Sequence, residues 1–117
     1  MLGLSIQNKF YFYNGYTDFR KGFDGLSGLV INNLGADPHD GSVYIFINRR
    51  RDKMKLLVWE PNGFTLYYKR LESGTFELPS KGAAGLKISL TWETLILMIQ
   101  GISLSKIKHR KRYKRAS

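Results

Sequence analysis

The chain has 117 residues, 43% of them hydrophobic and 14% aromatic, which fits one compact domain with a real core and excludes a disordered chain. It has no cysteine, which excludes a disulfide scaffold and any thiolate zinc site. Lys and Arg number 19 against 9 Asp and Glu, a formal charge of +10, so a polyanion is the partner class to test first.

Met1–Gln7 has neither a basic stretch nor a long apolar segment, so the expected location is cytoplasmic. The longest wholly apolar run, Leu95–Ile99, is far too short to span a membrane. Phe10–Tyr13 reads as a first strand. Thr17 or Asp18 can cap a helix that runs to about Leu34, with Phe23, Leu26, Leu29, Val30 and Leu34 as its apolar stripe. Gly22, Gly25 and Gly28 recur within it, and each costs about 1 kcal/mol against alanine in a helix interior. A ligand or another backbone approaching that side would explain them. Close packing of helix on sheet is the favoured reading. Gly35 can end the helix in a left-handed conformation, with Asp37-Pro38 as the stop.

A β-meander follows. Val43–Ile47 is a continuous apolar strand, Asn48–Asp52 its exit turn and Lys53–Glu60 the next strand. Glu60-Pro61-Asn62-Gly63 is a turn, with glycine expected at the left-handed site. Phe64–Leu71 returns, Glu72-Ser73-Gly74 turns again, and Thr75–Leu78 is a short last strand. The final element is a helix over Trp92–Gln100. Thr91 is its N-cap, Leu90 and Leu95 form a hydrophobic staple, and Gly101 closes it, with Ile102 able to contact Leu97. It is apolar nearly all round, so burial against the sheet is expected. The predicted fold is α+β: an antiparallel meander sheet of about four to five strands with two main helices. Residues 1–102 read as the domain and 103–117 as a flexible basic tail.

The charge is unevenly placed. Residues 102–117 carry seven basic residues and no acid, and residues 49–55 carry five against one. The remainder holds seven basic and eight acidic residues, close to neutral. If Glu60 pairs with Phe64, then Trp59 faces Thr65, Leu57 faces Tyr67 and Lys55 faces Lys69 on one side of the sheet. Two opposed lysines repel, and a bound anion would offset that cost. The candidate DNA-binding set is therefore Arg49, Arg50, Arg51, Lys53, Lys55, Lys69 and Arg70 around an aromatic floor of Trp59 and Tyr67. The tail adds Lys106, Lys108, Arg110, Lys111, Arg112, Lys114 and Arg115. Protection of strand edges by the same charges is the competing explanation.

Catalytic chemistry has little to draw on. His39 and His109 are the only histidines. Asp37, His39 and Asp40 have the spacing of a turn rather than of a metal site. The acids are scattered singly, where a two-metal nuclease needs several converging carboxylates. No phosphate-loop pattern occurs. The expectation is a protein that is not an enzyme and uses no metal or cofactor.

The segment Thr17-Asp18-Phe19-Arg20-Lys21-Gly22-Phe23-Asp24-Gly25-Leu26 resembles the opening signature of a known family. This is the small accessory protein of the insertion-sequence sixty-six group, encoded by the second reading frame. It is often labelled TnpB, and it is unrelated to the RNA-guided nuclease that shares the label. The resemblance continues through Asp37-Pro38, Asn48–Leu57, Trp59, Gly63-Phe64 and Tyr68–Glu72, and it ends near Gln100-Gly101-Ile102. It implies a bacterial protein that assists transposition by an element whose transposase is a separate, larger protein. No catalytic residues carry over with it. DNA is the expected partner. Docking on the transposase or on a sister accessory protein, through the apolar last helix and the glycine side of the first, is the alternative. RNA binding is the third reading.

Overall fold

Val43–Ile47 has no polar residue on either side, and its place in the fold explains why: all five residues are buried because both faces of the strand are covered. A computed structural model describes residues 4–5, 7–79 and 84–101. Its elements are β1 (Phe10–Tyr16), α1 (Phe23–Leu34), β2 (Val43–Ile47), β3 (Lys53–Glu60), β4 (Gly63–Arg70), β5 (Lys87–Leu90) and α2 (Trp92–Ile99). The five strands form one sheet in the order β4-β3-β2-β1-β5. The fold is α+β, as expected.

The meander β2-β3-β4 is antiparallel, as is β1 with β5. β1 and β2 are parallel, with α1 as the crossover between them, so the sheet is mixed. Strand alternation separates two cores. On one face Phe10, Phe12, Val43, Ile45, Ile47, Met54, Leu56 and Val58 pack with Leu95 and Met98 of α2 and with Phe76. On the other, Tyr13, Tyr44, Phe46 and Leu57 pack with Leu26 and Val30 of α1.

α2 begins as the sequence predicts. The Thr91 hydroxyl accepts from the Thr94 N–H at 3.1 Å, and Leu90 and Leu95 share one apolar cluster. Ile102 lies outside the described residues. Among the described residues no helix is long and apolar enough to cross a membrane.

Four local expectations are corrected. α1 starts at Phe23, not near Thr17, and Gly22 caps it without a side-chain bond. Asp18 instead folds a tight turn, its carboxylate accepting from the Arg20 backbone N–H at 2.9 Å. Thr75–Leu78 is not a strand, and Lys87–Leu90, which alternates polar and apolar residues, takes the sheet edge instead. At the β3–β4 turn Asn62, not Gly63, takes the positive φ of 76°. Pro61-Asn62 is therefore a two-residue loop and Glu60 pairs with Gly63, one residue away from the expected register.

The fourth correction concerns the glycines. A Cβ at Gly22 would meet nothing within 4 Å, and one at Gly28 only the Asn32 amide at 3.9 Å. The sheet is not what excludes a side chain there. Gly28→Ala is therefore expected to stabilise the fold by about 0.5–1 kcal/mol, read as a raised midpoint in urea unfolding.

Candidate nucleic-acid interface

The register decides which charges share a surface. Lys55 pairs with Tyr68 and Lys69 with Met54, so the two lysines lie on opposite faces of the sheet. The predicted lysine pair and its aromatic floor are not formed. Tyr67 packs against the α2-side core. Trp59 lies at the far end of β3, with its ring 5.0 Å from Phe64 and 4.8 Å from His39. His39 in turn sits in the Asp37 turn, its backbone N–H donating to that carboxylate at 2.9 Å. Among the described residues no group of three metal-ligating side chains comes together.

Lys55 is an interior residue, 5% exposed. Its ammonium donates to the carbonyls of Phe19 at 2.9 Å and Lys21 at 2.8 Å, between the rings of Phe19 and Tyr68. Burial pulls its pKa below the ordinary lysine value, and the Asp18 charge opposes that shift. It ties the 17–22 turn to the sheet and does not present charge to solvent. Lys69 similarly donates to the Ile99 carbonyl at 2.6 Å, at the C-terminal end of α2.

The remaining cations gather at one end of the sheet. Arg49, Arg50 and Arg51 occupy the β2–β3 turn, and Lys53 stands opposite Arg70 just inside it. The turn is locked by Asn48, whose side-chain oxygen accepts from the N–H groups of Asp52 (3.1 Å) and Lys53 (3.0 Å). The Asn48 amide donates to Asp52 at 2.7 Å. That hydrogen bond, with the charges of Lys53 and Arg50, holds the Asp52 carboxyl below its usual range. Arg51 sits at φ 59°, a left-handed conformation that costs an L-residue about 1–2 kcal/mol. Its carbonyl accepts from the Phe76 N–H at 2.6 Å.

The two longest blocks of the family signature meet here. Thr17 donates its backbone N–H to the Ile47 carbonyl at 3.0 Å, and Lys55 holds Phe19 and Lys21. Thr17, Asp18, Arg20, Lys21, Gly22, Phe23, Asp24 and Gly25, distant in sequence from Arg49–Arg51, thus stand at the same end of the sheet. Arg20 is neutralised by Asp18 at 2.7 Å, which lowers the Asp18 pKa to about 2. Arg70 lies 3.8 Å from Glu72, both exposed, a pair worth little in water. Among the described residues no carboxylate lies within 4 Å of Arg49, Arg50, Arg51 or Lys53.

Sequence reasoning missed Tyr16 and Tyr68, each 50% exposed at this end. The Arg49 guanidinium lies 5.1 Å above the Tyr16 ring. The available signal was the turn type, which sets the register and so the outward face of β4. The tail cations Lys106, Lys108, Arg110, Lys111, Arg112, Lys114 and Arg115 lie outside the described residues. Gly101, the last described residue, packs near Leu71, the residue after Arg70: a Cβ there would lie 3.6 Å from the Leu71 side chain.

The family model described as IS66 Orf2 like protein matches residues 8–109. The uncharacterized protein y4jC of Sinorhizobium fredii (strain NBRC 101917 / NGR234) is 37% identical over 94 residues, 80% of this chain and 79% of that one. The uncharacterized protein y4hO of the same strain is 34% identical over 88 residues, 75% of each chain. No solved structure matches. Because the matched span takes in both signature blocks and all the secondary structure between them, the chain belongs to the IS66 Orf2-like family, whose role is that of an insertion-sequence accessory protein.

Proposed function

We propose that this accessory protein acts without catalysis, by binding DNA through the sheet end that carries Arg49, Arg50, Arg51, Lys53 and Arg70. One observation carries the reading: these cations share a single locked surface, and the four in 49–53 have no carboxylate partner among the described residues. Cations carried on a locked turn, with Asp52 near but no direct ion pair among the described residues, release counterions from a phosphate backbone without first breaking salt bridges. The basic residues that follow Gly101 in the chain add affinity that does not depend on DNA sequence.

The test is a salt titration of the full chain on element-end DNA and on random DNA. With about five phosphates contacted, log K falls with log salt at a slope of roughly −4 to −5. Reversing Arg49 and Arg50 to glutamate is expected to weaken binding at least tenfold and to flatten that slope by about 2. Arg51→Gly separates fold from function, because it relieves the left-handed backbone while removing a charge. Stability is expected to rise by about 1 kcal/mol while affinity falls a few-fold. A salt-independent interaction, or unchanged binding after the double reversal, removes the proposal.

The second reading, docking on the transposase or a sister protein, is supported by the open space beside Gly22 and Gly28, whereas Gly25 is covered by the Lys21 side chain. It no longer draws equally on α2, which places Leu95 and Met98 in the core. Capture of the transposase that survives high salt and nuclease treatment would favour it.

A further inference from the structure

β4 is the outer strand on one side of the sheet and runs for eight residues, against four in β5 on the other side. Just past its end the Leu71 N–H donates to the Asp52 carbonyl at 2.8 Å. Antiparallel bonding alternates from there, so Lys69, Tyr67, Thr65 and Gly63 exchange bonds with β3. Phe64, Leu66, Tyr68 and Arg70 turn their N–H and C=O groups the other way, out of the sheet. Among the described residues no backbone hydrogen bond reaches those groups.

A long open edge is a template for another strand, and proteins blunt it with a bulge, a proline or a charge. Phe64–Tyr68 has none of these. Its pairing with β3 runs without a shift from Arg70 to Gly63, and Pro61 lies in the turn. Phe64, Leu66 and Tyr68 form an uncharged row on the α1 face, with Tyr68 50% exposed. Lys69 is drawn to the opposite face by the Ile99 carbonyl. In the outward row Arg70 alone is charged, and it stands at the very end.

Charge selects the strand that fits. Both cations of β4, Lys69 and Arg70, stand at one end, and at the other the Thr65 hydroxyl donates to the Glu60 carboxylate. A second β4 running antiparallel brings each cationic end to the other's acidic end, twice over, as a two-fold contact requires. A parallel copy would set Arg70 beside Arg70. The backbone groups fix the register. With Tyr67 on the two-fold axis, Leu66 meets the second copy's Tyr68 and Phe64 meets its Arg70. Every outward N–H and C=O on both strands is then paired. Moving the axis to Leu66 leaves Arg70 past the end of the opposite strand, and moving it to Tyr68 does the same to Phe64. The favoured register also sets the Arg70 guanidinium against the Phe64 ring, and Lys69 against Thr65 beside Glu60.

We infer that two copies of this chain associate edge to edge through antiparallel β4 strands, making one continuous sheet. The arginine turn joins β2 to β3 and stays outside the contact, so the pair carries two such turns.

The test is light scattering on the full chain after nuclease treatment, from about 1 to about 200 μM. The expected mass at the upper end is twice the 13.5 kDa of one chain. Tyr68→Pro removes an outward N–H and leaves the bonds to β3 in place, and it is expected to weaken association at least tenfold. Tyr68→Lys, which keeps that N–H and adds a charge to the row, is expected to do the same. Tyr68→Phe is expected to associate as the parent does. Cross-linking reads the register, since the chain has no cysteine of its own. Tyr67→Cys is expected to form a disulfide between copies under mild oxidation, because residues on the axis face each other with Cα atoms about 4.5 Å apart. Thr65→Cys, about 14 Å from its counterpart, is expected not to. A monomer at the highest concentration overturns the inference, whatever other protein the edge captures. So does a dimer unweakened by both Tyr68→Pro and Tyr68→Lys, or a disulfide at Thr65→Cys and none at Tyr67→Cys. Each of these outcomes leaves the DNA-binding proposal standing, because the salt titration reads that separately.

Discussion

Replacing Lys55 by methionine is expected to destabilise the protein by about 3 kcal/mol, although the change removes a buried charge. Two opposing effects set that figure. Taking the ammonium out relieves its desolvation, the same cost that lowers its pKa. Against this, two charge-assisted hydrogen bonds disappear, each worth about 1.5–3 kcal/mol, and the Phe19 and Lys21 carbonyls lose their donor. The contacts with the Phe19 and Tyr68 rings lose their cationic part as well. Loss of the bonds outweighs the relief, because the charge that is removed was well solvated by carbonyls and π faces. For a domain of this size the thermal midpoint falls by roughly 15 °C. Lys53→Met, two residues earlier on β3 and in no comparable hydrogen-bond network, is the control and stays within about 0.5 kcal/mol. Amide exchange should quicken in residues 17–22 before it does in β2. A Lys55→Met protein as stable as the Lys53→Met control would show that the bridge does not hold the turn.

That lysine also shows what the sequence could and could not disclose. Its place on β3 was legible from the alternation Lys53–Glu60, and so was the meander around it. The face it points to depended on one residue of turn geometry. Reading glycine as the left-handed position at Gly63 moves every side chain of β4 to the wrong side; Asn62 takes that role instead. The error carried Trp59, Tyr67 and the Lys55–Lys69 pair into a surface they do not share. The arginine turn survived it, because Arg49–Arg51 are placed by β2 and β3 alone. α2 was readable to its cap because Thr91, Leu90, Leu95 and Gly101 are all local signals. The parallel pairing of β1 with β2 and the edge strand β5 were not, since both depend on contacts between distant segments. β5 has only four residues, Lys87–Leu90, to announce itself. For the same reason the meeting of the two signature blocks is invisible in the sequence: Thr17 and Ile47 are joined through the crossover, not through any local pattern.

Phe76→Ala is expected to be the most damaging single change in the molecule, at about 3–5 kcal/mol, or roughly 20 °C in the thermal midpoint. The ring is fully buried in the α2-side core, yet it belongs to no helix or strand. Residues on strands are held by ladder bonds on both sides. The segment after β4 is held chiefly by Leu71, Phe76 and Leu78 packing on the sheet, and by the Phe76 N–H bond to the Arg51 carbonyl. Truncating the ring leaves a cavity and loosens one of the two places where that segment reaches the arginine turn, the other being the Leu71 N–H on the Asp52 carbonyl at 2.8 Å. Affinity for nucleic acid should then fall together with stability, because Arg51 loses the anchor on its carbonyl. Arg51→Gly moves the same two quantities in opposite directions, so the pair of variants tells a charge that binds from a backbone that positions it. Thr75→Ala, exposed and one residue away, should alter neither by more than about 0.5 kcal/mol. If Phe76→Ala unfolds at the same urea concentration as Thr75→Ala, the segment is not pinned through this ring, and the turn owes its shape to Asn48 and to the Leu71 bond on Asp52.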